Sequence, residues 1–106
     1  MLSFDLRNMQ SFPYQQRDKN VFYEAGNFKT RIIELQEGEK FPPHGPCEMA
    51  SYAIYYLVSG KIGININGEY SEPEEGHCMI SGLGSYQMEA KDPAKILGIQ
   101  IQPKER

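Results

Sequence analysis

The sequence predicts an all-β barrel or sandwich of about eight short strands, and three observations carry that prediction. Runs rich in β-branched and aromatic residues recur between glycine and proline breakers, and no segment sustains a helical period. Ile62, Ile64 and Ile66 alternate with Gly63, Asn65 and Asn67, the period of two that sets one apolar face against a core. The Asn67-Gly68 pair that follows is a hairpin signal, because both residues tolerate the positive φ of a type I′ turn.

In chain order, Met1–Gln10 reads as an edge strand or a short helix, and Gln15–Asn20 reads as a solvated link, so residues 1–27 form an N-terminal arm or edge strand. The barrel is expected over residues 28–106, as one domain. Val21–Tyr23, Lys29–Leu35, Tyr52–Val58, Lys61–Asn65, Glu69–Ser71, His77–Ser81, Tyr86–Ala90 and Lys95–Gln102 are the expected strands. Breakers separate them at Gly38, Pro42-Pro43, Gly45-Pro46, Ser59-Gly60, Pro73 to Gly76, Gly82 to Gly84 and Asp92-Pro93. Glu72, Glu74 and Glu75 flank Pro73 in what reads as a solvated acidic turn.

A chain of 106 residues with 40% hydrophobic and 24% charged residues has the balance of a single globular domain. Its net charge is −3 and its lysines and arginines are scattered, so no basic stripe offers to displace counterions from a phosphate backbone, and nucleic-acid binding by this domain is not expected. No apolar run approaches the roughly 20 residues of a membrane span, and the first residues carry no basic leader. Cys47 and Cys78 are too few for a disulfide framework; reduced thiols and a cytoplasmic location are the expectation.

Chemistry-bearing residues fall into a spaced frame. Gly38 is followed by five residues and His44; Ile54-Tyr55-Tyr56-Leu57-Val58-Ser59-Gly60 follows; then Gly76, five residues, Gly82-Leu83-Gly84, two residues and Gln87. On these motifs residues 28 to 102 resemble the cupin superfamily. The resemblance implies a jelly-roll barrel, the cupin-type double-stranded β-helix, often dimeric, whose motifs normally supply three histidines and a glutamate to a metal. Carried over, those positions are His44, Pro46, Ala53 and Gln87. Pro46 and Ala53 offer no side-chain lone pair, and Gln87 offers only a neutral amide, so the usual site for iron, manganese or zinc cannot form in its usual way. The stretch from Pro46 to Ala53 is also longer than usual, which lets Cys47 or Glu48 stand in for the second ligand.

His44 therefore has three readings: a metal ligand with Cys47, Glu48 and Gln87; a polar anchor for an organic ligand; or a strand-end histidine bonded to backbone. No cofactor is expected, with a divalent zinc, iron, manganese or nickel ion as the alternative. A structural zinc site of His44, Cys47, His77 and Cys78 is disfavoured, because adjacent strand residues point to opposite faces. Outside such a site, Cys78 reads as a small buried residue and His77 as solvent-facing.

The family register places Ala53, Tyr55 and Leu57 inward, and Ser85, Gln87 and Glu89 likewise. The implied pocket holds His44, Tyr55, Leu57 and Gln87, with Glu48 near its mouth; Tyr55 and Leu57 can equally well be filling side chains. The stretches from Tyr52 to Gly60 and from Ile64 to Tyr70 resemble the effector domains of AraC-type regulators. That implies a small-molecule-binding, sensory or regulatory cupin with a small organic partner and a homodimeric state. The alternative is an enzyme: a metal-dependent oxygenase, isomerase or lyase, or a metal-free epimerase with His44 as base, Glu48 as its support and Tyr55 or Tyr86 as acid. A third possibility is a structural role for a barrel whose site has decayed.

Overall fold

The structure, a computed structural model, describes residues 1–103. Its strands are β1 (Val21–Ala25), β2 (Phe28–Leu35), β3 (Lys40–Phe41), β4 (Cys47–Met49), β5 (Tyr52–Ile66), β6 (Glu69–Ser71), β7 (Cys78–Ser81) and β8 (Gly84–Ile101). All pairings are antiparallel. The last three residues of the expected barrel lie outside the described residues.

β5 and β8 run side by side over almost their whole length, from Tyr52 opposite Ile101 to Ile66 opposite Tyr86. The sequence divides each into two strands, at Ser59-Gly60 and at Asp92-Pro93. In the structure those breakers bend the strands without ending them, through register shifts between Leu57 and Ile62. Gly60, at φ +92°, packs so closely on the Pro93 carbonyl and Ala94 that a Cβ has no room. The bends fold the sheet into two layers. One holds β1, β2, the second half of β8, the first half of β5 and β7. The other holds β3 and β4, the first half of β8, the second half of β5 and β6. β3 and β4 carry no sequence signal of their own, being two and three residues long beside Pro42-Pro43 and Pro46.

The core lies between the layers. Ile33, Leu35, Leu57, Ile62, Ile64, Met88 and Ile96 are almost entirely excluded from water, and each such side chain contributes roughly 1.5–3 kcal/mol on burial. The Asn67-Gly68 hairpin forms as expected, with φ of 53° and 85°, and Asn67 also accepts from the Ser85 amide at 2.8 Å.

Of the two readings of Met1–Gln10 the short helix is present and the strand is not, β1 within residues 1–27 is the edge strand of the sheet, and Gln15–Asn20 is not a free link. Two 3-10 segments, Leu6–Asn8 and Tyr14–Asn20, bring the arm against β2 and β8. Buried Lys95 donates to the Arg7 and Met9 carbonyls at 2.6 and 2.9 Å, and Ser11 Oγ accepts from the Glu34 amide at 3.1 Å. Buried Asn20 bonds both backbone groups of Phe12, closing a link that composition alone leaves in solvent. Ile32, on the outward side of β2, is buried, and the Tyr14–Asn20 segment packs on that strand. The acidic turn is likewise more than solvated, since Glu75 Oε2 accepts from the Gly60 amide at 2.6 Å and so holds the β5 bend. Among the described residues no helix is long and apolar enough to cross a membrane.

Candidate functional site

The inward side chains change character along the barrel. The row Ile33, Ile96 and Leu57 is fully apolar; the next is Arg31, Gly98 and Tyr55; the last is Lys29, Gln100 and Ala53. A Cβ on Gly98 would lie 3.6 Å from both Arg31 Cγ and Tyr55 Cε1, so these two side chains flank the glycine. From the facing layer Tyr86 stacks on Tyr55, with ring centroids 5.4 Å apart, and Met49 Sδ accepts from the Tyr55 hydroxyl at 3.3 Å. Above this layer the barrel opens into a cleft of about 240 Å³. Met49 and Tyr86 form its apolar floor, Arg31, Lys29 and Gln100 one wall, and Cys47 and Glu48 the other.

Tyr14 and Arg17 of the arm complete the rim, with Arg17 over the Tyr14 ring at 4.2 Å. Among the described residues three cations and one carboxylate thus line the cleft of a chain whose net charge is −3. Burial pushes the Tyr86 phenol up to about 12, with Tyr14 as the second cause. Burial raises Tyr55 beyond the ordinary tyrosine range, the neighbouring Tyr86 adding to it. Both phenols are neutral at physiological pH, and the Tyr55 hydroxyl is already donated to Met49 Sδ.

The residues singled out from sequence are not brought together. His44 is exposed in the turn after the cis Phe41–Pro42 peptide and does not line the cleft. Glu48, Cys47 and Tyr86 do line it. Tyr55 lies under its floor, and Leu57 is fully enclosed in the core with no surface left for a ligand. Ala53, Tyr55 and Leu57 face inward as the family register implies, but Ser85, Gln87 and Glu89 do not. Tyr86, Met88 and Ala90 are the buried positions of that strand, because Met88 pairs with inward Ile64. Gln87 instead donates through Nε2 to the Pro42 carbonyl at 2.8 Å, tying β8 to the turn that carries His44. Cys78, expected inside, is exposed opposite Tyr56 on the outer face; Met79 takes the inward place.

No sequence-family model matches the chain, and no curated protein shows significant similarity to it. Solved structures do. A cupin protein from Bacteroides fragilis is 27% identical, with a TM-score of 0.66 over 77% of this chain and 71% of that one. KdgF from a Halomonas species is 12% identical, with a TM-score of 0.70 over 80% and 77%. A conserved protein of unknown function from Streptococcus pyogenes is 17% identical, with a TM-score of 0.69 over 80% and 73%. By its fold the chain is a cupin.

The metal positions of this cupin do not fit a metal. Among the described residues no three histidine, cysteine, aspartate or glutamate side chains gather closely enough to hold an ion. Cys47 and Glu48 line the cleft whereas His44 does not, and Gln87 is engaged with backbone. Arg31 is one of the cleft residues that the motifs do not reveal, with Arg17, Lys29, Met49 and Gln100. A signal for it does exist: Arg31, Ile33 and Leu35 share one face of β2, which puts a charge in step with core positions. Ile32, equally apolar on the opposite face, hides that alternation.

Proposed function

We propose that this cupin is a small-molecule-binding domain, of sensory or regulatory type, and that its ligand seat is the mouth cleft rather than the motif histidine. The observation that carries the proposal is the change in packing along the barrel. Apolar side chains fill the interior up to the Tyr55 row, and an open cleft with an apolar floor and convergent polar walls lies directly above it. Convergent polar groups beside an apolar surface are elements of a small-ligand site, and in this cleft the polar groups predominate. The cleft is smaller than the roughly 300–1,000 Å³ of drug-sized sites, which points to a metabolite of few atoms. The enzymatic alternative is less well supported, since His44, its only histidine base, is not at the cleft.

A fragment screen by protein-observed NMR tests the proposal. Binders should perturb the Arg31, Met49, Tyr86 and Gln100 resonances, and Gln100→Trp, which puts a large ring into the cleft, should abolish those perturbations. Binding that persists in Gln100→Trp would sink this location for the site.

A cytoplasmic homodimer belongs to the same proposal. Both cysteines are free and exposed, which suits a reducing compartment. Tyr52, Tyr56 and Ile80 stand exposed on the outer face beside β7, a strand that pairs only with β5. A second copy related by a two-fold axis would cover both the patch and the edge. Light scattering should give twice the chain mass, and Ile80→Glu should shift it toward monomer; an unchanged mass for that variant would remove this face from consideration.

A further inference from the structure

We propose that Arg31 anchors the carboxylate of a small organic acid in the mouth cleft. This assignment rests on the cleft being the ligand seat and specifies the class of ligand it takes. Arg31 keeps only 9% of its surface exposed, yet among the described residues its side chain forms no ion pair and no hydrogen bond, and its Nε is buried without any partner. The other strongly buried cation among the described residues, Lys95, has two backbone acceptors and lies within 3.8 Å of Glu34. A buried charge normally requires a partner, and a buried donor left unmade is costly.

The Arg31 stem is held beside Gly98, its Nε is buried, and the residue lines the cleft. An arginine so placed offers a rigid planar fork that matches a carboxylate with two parallel hydrogen bonds. The surroundings favour an anion further. Lys29 is the next inward residue of the same strand, and Arg17 reaches the rim with one guanidinium nitrogen already committed to the Tyr14 carbonyl at 3.1 Å. Among the described residues Glu48 is the single carboxylate against these three cations. Met49 and Tyr86 supply the apolar floor on which the body of the acid would lie, which is what distinguishes an organic acid from a bare inorganic anion. Gln100 can donate or accept at the far side.

Thermal unfolding and calorimetric titration of the full chain test the assignment, with benzoate and succinate as carboxylate probes, benzamide as the uncharged isostere and inorganic phosphate as the competing anion. Wild type should be stabilised by at least one carboxylate, and Arg31→Met should weaken that binding at least tenfold. Arg31→Lys, which keeps the charge and loses the fork, should fall between. Arg31→Met should also melt no lower than wild type in the absence of probe, because the substitution removes an unpartnered buried charge. A lower melting temperature would mark Arg31 as structural and overturn its role as an anchor. Equal carboxylate affinity in Arg31→Met would overturn it too, and a response to phosphate alone would overturn the organic-acid assignment. Benzamide binding as well as benzoate, blocked by Gln100→Trp but indifferent to Arg31→Met, would leave the cleft as the ligand seat and refute only the carboxylate. No perturbation of cleft resonances by any probe would count against both.

Discussion

The two ends of the barrel interior are built from the same three strands and solve opposite problems. At the closed end Ile33, Leu57 and Ile96 meet as a solid apolar row with no residual exposure to speak of. Two residues along each strand, the equivalent row places a cation, a glycine and a phenol around a space. Nothing in strand pairing differs between the rows, because β2, β5 and β8 keep the same register through both. The difference lies entirely in side-chain choice. One end uses burial to hold the fold together, and the other gives up packing at Gly98 and hydrogen-bonding at Arg31 to keep a cleft. Stability and binding should therefore respond to substitution at different ends.

The largest expected effect is at the closed end. Leu57→Ala should cost about 2–5 kcal/mol, the range for deleting a leucine side chain from a packed core. Gln100→Ala at the open end should stay within about 0.5 kcal/mol of wild type, as surface-type substitutions do. Urea unfolding of the two variants measures both. A Leu57→Ala loss no greater than that of Gln100→Ala would mean that the closed end is not the stabilising half.

A second effect comes from the phenols at the boundary between the two ends. The folded protein raises Tyr86 from the ordinary 10.0 to about 12. A raised pKa favours the protonated form in the folded state, so the associated stability is fully present below pH 10. It is lost as the pH climbs from 10 toward 12, where the unfolded chain gives up a proton that the folded chain retains. Each tenfold change in proton affinity between the two states is worth about 1.4 kcal/mol, so the loss attributable to Tyr86 is at most about 2–3 kcal/mol. Tyr86→Phe should therefore show a shallower fall in stability across that window, with Tyr55 still contributing. An unchanged alkaline slope would place the Tyr86 hydroxyl in water and open the floor of the cleft.

The parts of the fold legible in the sequence are those set by local chemistry. Alternation at Ile62 to Ile66, the Asn67-Gly68 turn and the inward set Ala53, Tyr55 and Leu57 all appear as expected. The bends are legible as breakers but not as bends, because a glycine at positive φ looks the same in sequence whether it ends a strand or redirects it. The site is much less legible. Motif position puts Gln87 inward, whereas β5 pairing sets Met88 inward and leaves Gln87 to bond the Pro42 carbonyl. Arg31 is hidden for the opposite reason: it belongs to no motif, and its significance depends on acceptors that three-dimensional packing fails to supply. The arm escapes sequence reading because its fixing groups, Lys95 and Asn20, act through backbone carbonyls that a sequence does not display.

His44 gives the smallest expected effect and the sharpest separation of motif from site. It follows Gly38 at the family spacing, yet it is exposed in a turn whose position is held by others: buried Phe41 and Pro42 on one side and the Gln87 amide bond on the other. A side chain that supports neither the turn nor the cleft has no physical route to stability or affinity. His44→Ala should change unfolding free energy by no more than about 0.5 kcal/mol, leave cleft binding unaltered, and leave the metal content of the purified protein unchanged. Gln87→Leu, which deletes the bond to Pro42, should cost about 1 kcal/mol although Gln87, like His44, does not line the cleft. If His44→Ala proved the more damaging of the two, or stripped an ion that wild type retains, the motif histidine would regain the role that this geometry assigns to Arg31.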